Sequence, residues 1–473
     1  MRALIILSLT LVALLMASCS RDESTSGELT LYVISPHGTD IRKEFEQGFS
    51  EWHKAKHGKT VKIQWPDIGG GGTGNIVKYL HSRYSTGPTA DADIVFGGGS
   101  AAFNDFMKNN FLEVAPLPKE VADRVPNDIF GTPLKGKDNL WFAATLSNFG
   151  IVVNKDRLNE LKLPMPTHWD DIAAPQWYGH LSLADPSKSR SVLSSYDMIF
   201  QQYGWEKAWP IVVQIFANAE YIKENGSAPS DDVGSAAAVA GIVIDFYGRV
   251  HIKRVGPHIV SFVVPEGGST IDPDPIAMLR GAPHKELAGR FIEYVISPEG
   301  QRLWTFKNGV PGGPKRTPLG RLNVLPELYE KESAQMFDPI NPFAMKEALK
   351  ADPVIQRVRA IFLGDLVKST IVDNHAQLVA VRKAIRDAGD KPELLAKLGE
   401  LPRFTLSDVV DGQLQVKEPQ PITTETLKAV AEEYRPAAKP KSDFVQHRQA
   451  ELKRLWRDDM KRRLDELQAQ LKK

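Results

Sequence analysis

Short β-rich apolar runs alternate with amphipathic stretches from Leu29 to about Pro314. "LTLYVIS", "VKIQW", "ADIVFG", "LWFAATLSNFGIVVN", "LSLAD", "AGIVIDF" and "HIVSFVVPE" have the length and β-branched content of strands. "DIRKEFEQGFSEWHKAK", "SSYDMIFQQYGWEKAWPIVVQIF" and "KELAGRFIEYVIS" carry apolar residues at helical spacing. Strand–helix alternation of this kind predicts an α/β fold with parallel sheets covered on both faces. In such sheets ligands lie outside the carboxyl ends of the strands, where helix N-termini converge.

The texture changes near Leu319. "RTPLGRLNVLPELYEKESAQMFDPINPF" is irregular, and the helical stretches beyond it are broken at "KEPQPITTET" and "YRPAAKPKSD". The last stretch predicts one long charged helix. Its narrow apolar stripe is Phe444, Leu452, Leu455, Met460, Leu464 and Leu467. Such a stripe suits a helix lying across the main body, or one that pairs with a partner. No internal repeat is present.

The predicted strand ends share a chemistry. "LYVIS" is followed by Pro36, His37, Gly38 and Thr39; "VKIQW" by a glycine loop with Thr73; "DIVFG" by Gly98, Gly99 and Ser100; "LSLA" by Asp185 and then Ser187, Ser189 and Ser191. Each run opens a predicted helix. Glycine lets a ligand approach the backbone, and the free N–H groups of a helix start favour an anion. Ser, Thr and Gly also cap helices for their own sake, so the weight lies in four such loops at corresponding places.

The glycine loop is ambiguous by itself. Gly69, Gly71 and Gly74 satisfy G-x-G-x-x-G. A phosphate-cradling ATPase loop needs Lys after its last glycine, and Asn75 stands there. A dinucleotide fold needs an acid ending the next strand, whereas Asp91 and Asp93 precede "IVFG". The loop therefore reads as backbone amides of Gly72, Thr73 and Gly74 offered to a small ligand.

Charge and cysteine content narrow the classes. Lys plus Arg number 59 against 58 Asp plus Glu, which gives no basic excess for nucleic acid. The chain opens "MRALIILSLTLVALLMASCS", an export signal over residues 1–18. "MASC" resembles a bacterial lipobox, with Met16 where Leu is commonest and Cys19 as the lipidated residue. Cys19 is the sole cysteine, so no internal disulfide or cysteine metal cluster can form. Residues 19–28 read as a polar tether, and Ser20 rather than Asp follows Cys19, which points to a surface or outer-membrane lipoprotein. The chain has no G-x-S-x-G, H-E-x-x-H or catalytic cysteine, so no enzyme activity and no cofactor are expected.

"LTLYVISPHGTDIRKEFEQGFSEW", "ADIVFGGGSAAFNDFMKNNFLE", "GIVVNKDRL", "PTHWDDIAAPQWYGHLSLADPSKSRS", "AGIVIDFYG" and "DPIAMLRGAPHKELAGRFIEYVISPEGQRLW" together resemble ABC-transporter solute-binding proteins. The similarity is to the ferric-iron, phosphonate and sugar-phosphate branch, over about residues 29 to 315. It implies the type II periplasmic-binding fold, two α/β lobes joined by crossing strands near "WFAATLSNFGIVVN" and "HIVSFVVPEGG". Lobe one would be residues 28–140 with 265–320, lobe two residues 141–264, and residues 321–473 a mostly helical C-terminal extension without a counterpart. The implied partners are a small solute, an ABC permease with its ATPase, and the membrane through the lipid. A ferric-iron-binding importer component and an envelope sensor or scaffold lipoprotein are the alternative roles.

Relatives that hold ferric iron use a His in the first loop, a Glu in the third and adjacent tyrosines later. His37 fits the first; Gly98 or Gly99 stands for the Glu, and Phe246 with Tyr247 for the tyrosines. Hard Fe(III) wants several anionic oxygen ligands, so the set is poor for iron and no metal site is expected. The amide- and hydroxyl-rich loops favour a phosphate- or phosphonate-bearing anion instead. The resulting candidate ligand set is His37, Gly38, Gly72, Thr73, Gly74, Gly99, Ser100, Ser187, Ser189, Asn225, Ser227, Asp245 and Tyr247. His37 and Tyr247 would bond an anion, and Asp245 and Asp185 would suit hydroxyls, Asp185 also being placed to cap its own turn.

Overall fold

Eleven strands build the two main sheets. They are β1 (Leu29–Ile34), β2 (Val61–Gln64), β3 (Ile94–Phe96), β4 (Leu112–Glu113), β5 (Phe142–Ser147), β6 (Phe149–Asn154), β7 (Leu181–Ala184), β8 (Ala219–Lys223), β9 (Ala240–Ile244), β10 (Val260–Val263) and β11 (Asp272–Leu279). The computed structural model describes residues 28–68, 72–345, 348–410, 413–435 and 442–472. Cys19, the signal before it and residues 69–71 of the glycine loop lie outside the described residues.

The first sheet has the order β2-β1-β3-β11-β4, with β5 beside β11; the second has the order β8-β7-β9-β6-β10. β1 is parallel to β2 and β3, and β7 is parallel to β8 and β9. The sheets are nevertheless mixed rather than parallel throughout. β11 runs antiparallel to β3, and β6 antiparallel to β9, because each of these strands enters its sheet from the other lobe. Every residue of β3, β5 and β6 is buried, which is why these segments read as nearly unbroken apolar runs.

The chain changes sheets at Asn148, between β5 and β6. β5 pairs with β11 in the register Ser147 to Asp272, so Phe142–Ser147 belongs to the first sheet although the sequence boundary assigns it to lobe two. The return passes from β10 through residues 264–271 to β11.

The helices that frame the sheets and the site are α1 (Thr39–His57), α2 (Thr73–Thr86), α3 (Ser100–Lys108), α4 (Arg190–Tyr203), α5 (Trp205–Ala217), α6 (Asp245–Val255), α7 (Leu363–Thr370), α8 (His375–Asp387) and α9 (Ser442–Leu471). α1 shows the local logic. Phe45, Phe49 and Trp52 fall at helical spacing and are buried, and Gly58 ends the helix at φ 77°, its N–H donating to the Lys54 carbonyl.

The C-terminal residues are not one appendage. Leu322, Val324, Leu325, Leu328, Tyr329 and Met336 join the core of the first lobe. The helices beyond join the core of the second, with Leu366 of α7, Leu378 of α8 and Leu452, Trp456, Met460, Leu464 and Leu467 of α9. From Leu452 onward the stripe on α9 is thus covered inside the protein, and Trp456 rather than Leu455 takes the buried position. The side chain of Phe444, the first residue of the predicted stripe, lies outside the described ones. Trp205 and Trp209 of α5 donate their indole N–H groups to the carbonyls of Ile422 and Glu400. Each fully buried Leu or Met of this seam contributes roughly 1.5–3 kcal/mol of transfer free energy. No helix among the described residues is long and apolar enough to cross a membrane.

Candidate functional site

The strand topology places the ends of β1 and β3 and the start of β11 at one end of the first sheet, so their loops meet. His37 is buried, in edge contact with Phe96 and Trp304. Its Nε2 lies 3.0 Å from Asp274 Oδ2. Asp274 Oδ1 accepts the N–H groups of Gly98 at 2.6 Å and Gly99 at 3.1 Å. Ser100 Oγ donates to Asp272 Oδ1 at 2.8 Å. The period of two along β11 puts both aspartates on one face, toward these loops.

This arrangement needs glycine. Gly97, Gly98 and Gly99 have φ of 88°, 120° and 81°, and a Cβ on Gly97 would come within 2.6 Å of the His37 ring. A Cβ on Gly98 would meet Thr73 at 3.1 Å, so the glycine loop before α2 abuts the one before α3.

The sequence assigns the Gly99 amide, Ser100 and His37 to a ligand. In the structure Asp272 and Asp274 engage all three, so the chain supplies its own anions to that nest. Gly72 begins α2 with no side-chain cap, and a Cβ at Gly72 or Gly74 would meet nothing within 4 Å.

Arg321 binds this cluster to the second lobe. Its Nη1 lies 3.0 Å from Asp274 Oδ2, its Nη2 donates to Ser147 Oγ at 2.7 Å, and its guanidinium stands 4.9 Å from the centre of the Phe246 ring. Beside it, Asp245 is wholly buried; its N–H donates to the Asn148 carbonyl, and Arg249 Nε lies 3.5 Å from its Oδ2. Arg249 also pairs with Asp338. Several buried polar atoms here make no hydrogen bond within the protein: both side-chain polar atoms of Asn148, Arg321 Nε and His37 Nδ1, while Asp245 Oδ2 and Arg249 Nε meet only in their 3.5 Å ion pair. These unpartnered buried polar atoms gather where the chain crosses between the lobes.

Burial and charge set the protonation states. Burial opposes ionisation of Asp274, but Arg321, His37 and the Gly98 amide outweigh it and hold the carboxyl well below its usual range. Burial pushes Asp272 up to about 6, with the Ser100 hydrogen bond opposing and the Asp274 charge adding. Burial also raises Asp245 and Tyr247 and lowers His37, which favours a neutral imidazole.

The remaining predicted residues form a separate group. Asp185 Oδ1 accepts the Ser187 N–H at 2.8 Å, so it caps its own turn. Asn225 Oδ1 likewise accepts the Ser227 N–H and hydroxyl at 3.0 and 3.2 Å. A Cβ on Gly226 would lie 3.1 Å from Ser189 Oγ, which places these two loops together. Among the described residues the hydrogen bonds of Ser187, Ser189, Asn225 and Ser227 stay within the second lobe. Gly364, at the start of α7, approaches the Pro186 carbonyl and Ser187, so the extension borders this wall.

Sequence reasoning missed Asp272, Asp274, Asn148, Arg249 and Arg321. "DPDP" at the start of a crossing strand is a signal, since two acids at period two share a face. Arg321 offers none, as it lies within the irregular stretch that begins where the resemblance ends.

Among the described residues no group of three or more His, Cys, Asp or Glu is arranged to hold a metal ion. Tyr247 has Phe246 as its neighbour, the rings 4.4 Å apart, so the second phenolate of the iron-type pair is absent from that position.

Residues 91–328, just over half of the chain, match the family model of bacterial extracellular solute-binding proteins. The phosphoglycerate transport regulatory protein PgtC of Salmonella typhimurium is 28% identical over 303 residues, which cover 63% of this chain and 69% of that protein. Iron-bound HitA from Pseudomonas aeruginosa superposes with a TM-score of 0.52 at 17% identity, over 69% of this chain and 94% of HitA. The periplasmic binding protein AfuA from Actinobacillus pleuropneumoniae, with fructose-6-phosphate bound, gives 0.50 at 19% identity, over 63% and 86%. The two structures share the two-lobed fold found here. With the crossing strands, the paired α/β sheets and the family match, the chain belongs to the bacterial extracellular solute-binding proteins and has their two-lobed type II periplasmic-binding fold.

Proposed function

We propose that this protein captures a small hydroxylated anion, carrying a phosphate or phosphonate group, in the cleft between its lobes and delivers it to an ABC permease. The family is one of binding proteins that serve importers without doing chemistry, and we assign this chain the same non-enzymatic role. The observation that carries the ligand class is the set of unpartnered buried polar atoms around Asn148. It combines the Asn148 amide with guanidinium N–H groups of Arg249 and Arg321. A polyhydroxylated anion offers matching acceptors and donors, whereas an apolar solute would leave all of them unpaired. The similarity to a protein named for phosphoglycerate transport supports the same class. Closure of the lobes about the two crossings would trap the solute and present a changed surface to the permease.

A second role has its own support. The relative's name contains "regulatory", and here the C-terminal helices add to the core of one lobe. A binding protein that reports occupancy to an envelope partner would use such a surface. In either role we place the chain outside the cytoplasm, tethered through a lipid on Cys19.

A thermal-shift screen tests the ligand class. Phosphorylated sugars, phosphoglycerates, phosphonates, polyamines, uncharged sugars and ferric citrate would be compared. Stabilisation by phosphorylated compounds alone is expected; stabilisation by polyamines or ferric citrate and none by any phosphorylated compound overturns the reading.

A further inference from the structure

The N-terminus of α1 carries no side-chain cap. The first N–H groups of a helix lack intrahelical partners and carry its positive dipole end. Here they open onto a cavity of about 290 Å³ between the lobes. Gly38 and Thr39 wall it on the first lobe, Phe246 and Lys253 of α6 on the second, and Arg321 from the segment that follows Pro318. Its volume is close to the lower end for small-ligand pockets, about 300 Å³.

Two cations reach this space. The Arg321 side chain is only 6% exposed, and its Nε has no hydrogen-bond partner. Lys253 is held by Thr317 Oγ1 and the Pro318 carbonyl. An ammonium group has three N–H donors, so one remains beyond those two bonds. Burial opposes the charge on Lys253, and the carboxylates of Asp40, which lines the same cavity, and Glu44 favour it while opposing an incoming anion. The contrast with the glycine nest is direct, because the Gly98 and Gly99 amides already hold Asp274.

We infer that this cavity holds an oxyanion, the phosphate or carboxylate end of the captured solute, between the first turn of α1, Lys253 and Arg321. The inference rests on the proposed solute-binding role and names where the anionic end lies. It places that end at the first helix and leaves the Asn148 cluster for hydroxyl groups. The strap from Thr317 to Arg321 thereby becomes part of the site, so that residues at the edge of the extension take part in recognition.

Calorimetry with inorganic phosphate and with 3-phosphoglycerate as probes tests it, on the purified protein. Lys253→Met should weaken binding by about tenfold or more, the usual cost of one charged hydrogen bond. Lys253→Arg, which keeps the charge and the contacts to the strap, should bind within a few-fold of wild type. Asp40→Asn, at an exposed first-turn position, should bind tighter. Unchanged binding in both Lys253→Met and Asp40→Asn, with weaker binding in Thr73→Ala, overturns the inference and leaves the solute-binding role standing. If wild type binds neither these probes nor any other phosphorylated compound, both fall. Should Lys253→Met unfold, the Asp40→Asn and Lys253→Arg results decide by themselves.

Discussion

Arg321 and Asp274 form a buried ion pair, 3.0 Å between Nη1 and Oδ2, at the point where the chain crosses between its lobes. Removing one partner of such a pair leaves an uncompensated buried charge. Arg321→Met is expected to cost about 3–5 kcal/mol of stability. The double variant Arg321→Met with Asp274→Asn should recover part of that loss. Urea denaturation of the single and double variants measures the coupling, and strictly additive effects would show that the pair is not a unit. The folded-state pKa of Asp274 lies below its unfolded value. Its contribution is therefore present above about pH 4 and is lost as pH falls below that.

Asp272 behaves in the opposite sense. Its folded pKa is raised, to about 6. The native state then holds a proton that the unfolded state has released, so stability is greatest below the unfolded value and falls as pH rises through about 6. Asp272→Asn should remove that slope between about pH 4 and 7 and raise stability at pH 8 by about 1–3 kcal/mol. It keeps an acceptor for Ser100. A variant with the wild-type pH slope would mean that another group carries the titration.

Trp456 of α9 is fully buried and stacks on Tyr434, with ring centroids 5.7 Å apart. Trp456→Ala should cost about 3–5 kcal/mol. Deleting residues 442–473 should expose the second-lobe seam and yield aggregated or unfolded protein. A soluble truncated protein melting at the wild-type temperature would show that α9 is an appendage after all.

Cys19 tests the tether. Cys19→Ser should move the protein from the membrane fraction to the soluble fraction of the cell envelope, without loss of solute binding in vitro. Retention in the membrane as firmly as wild type would sink the lipid anchor.

Much of the fold is local in origin, and local signals are readable. Central strands such as Ile94–Phe96 are apolar throughout because helices cover both faces. α1 announces itself by Phe45, Phe49 and Trp52 and stops at Gly58. The glycine turns and most of the α9 stripe follow from spacing and backbone preference, whereas the crossings near "WFAATLSNFGIVVN" and "HIVSFVVPEGG" are implied by the family resemblance. What the chain by itself does not reveal is which donors are already taken. The Gly99 amide, Ser100 and His37 read as a free anion nest, yet carboxylates more than 170 residues away in sequence, Asp272 and Asp274, fill it. Arg321 stands beyond the last familiar motif and reaches the cleft only because Leu322 and its neighbours pack into the first lobe. Spacing fixes which face of a strand or helix a residue occupies. Which charges meet across a lobe crossing is decided only when the chain returns to the same place, since a buried charge must find its partner wherever the fold brings one.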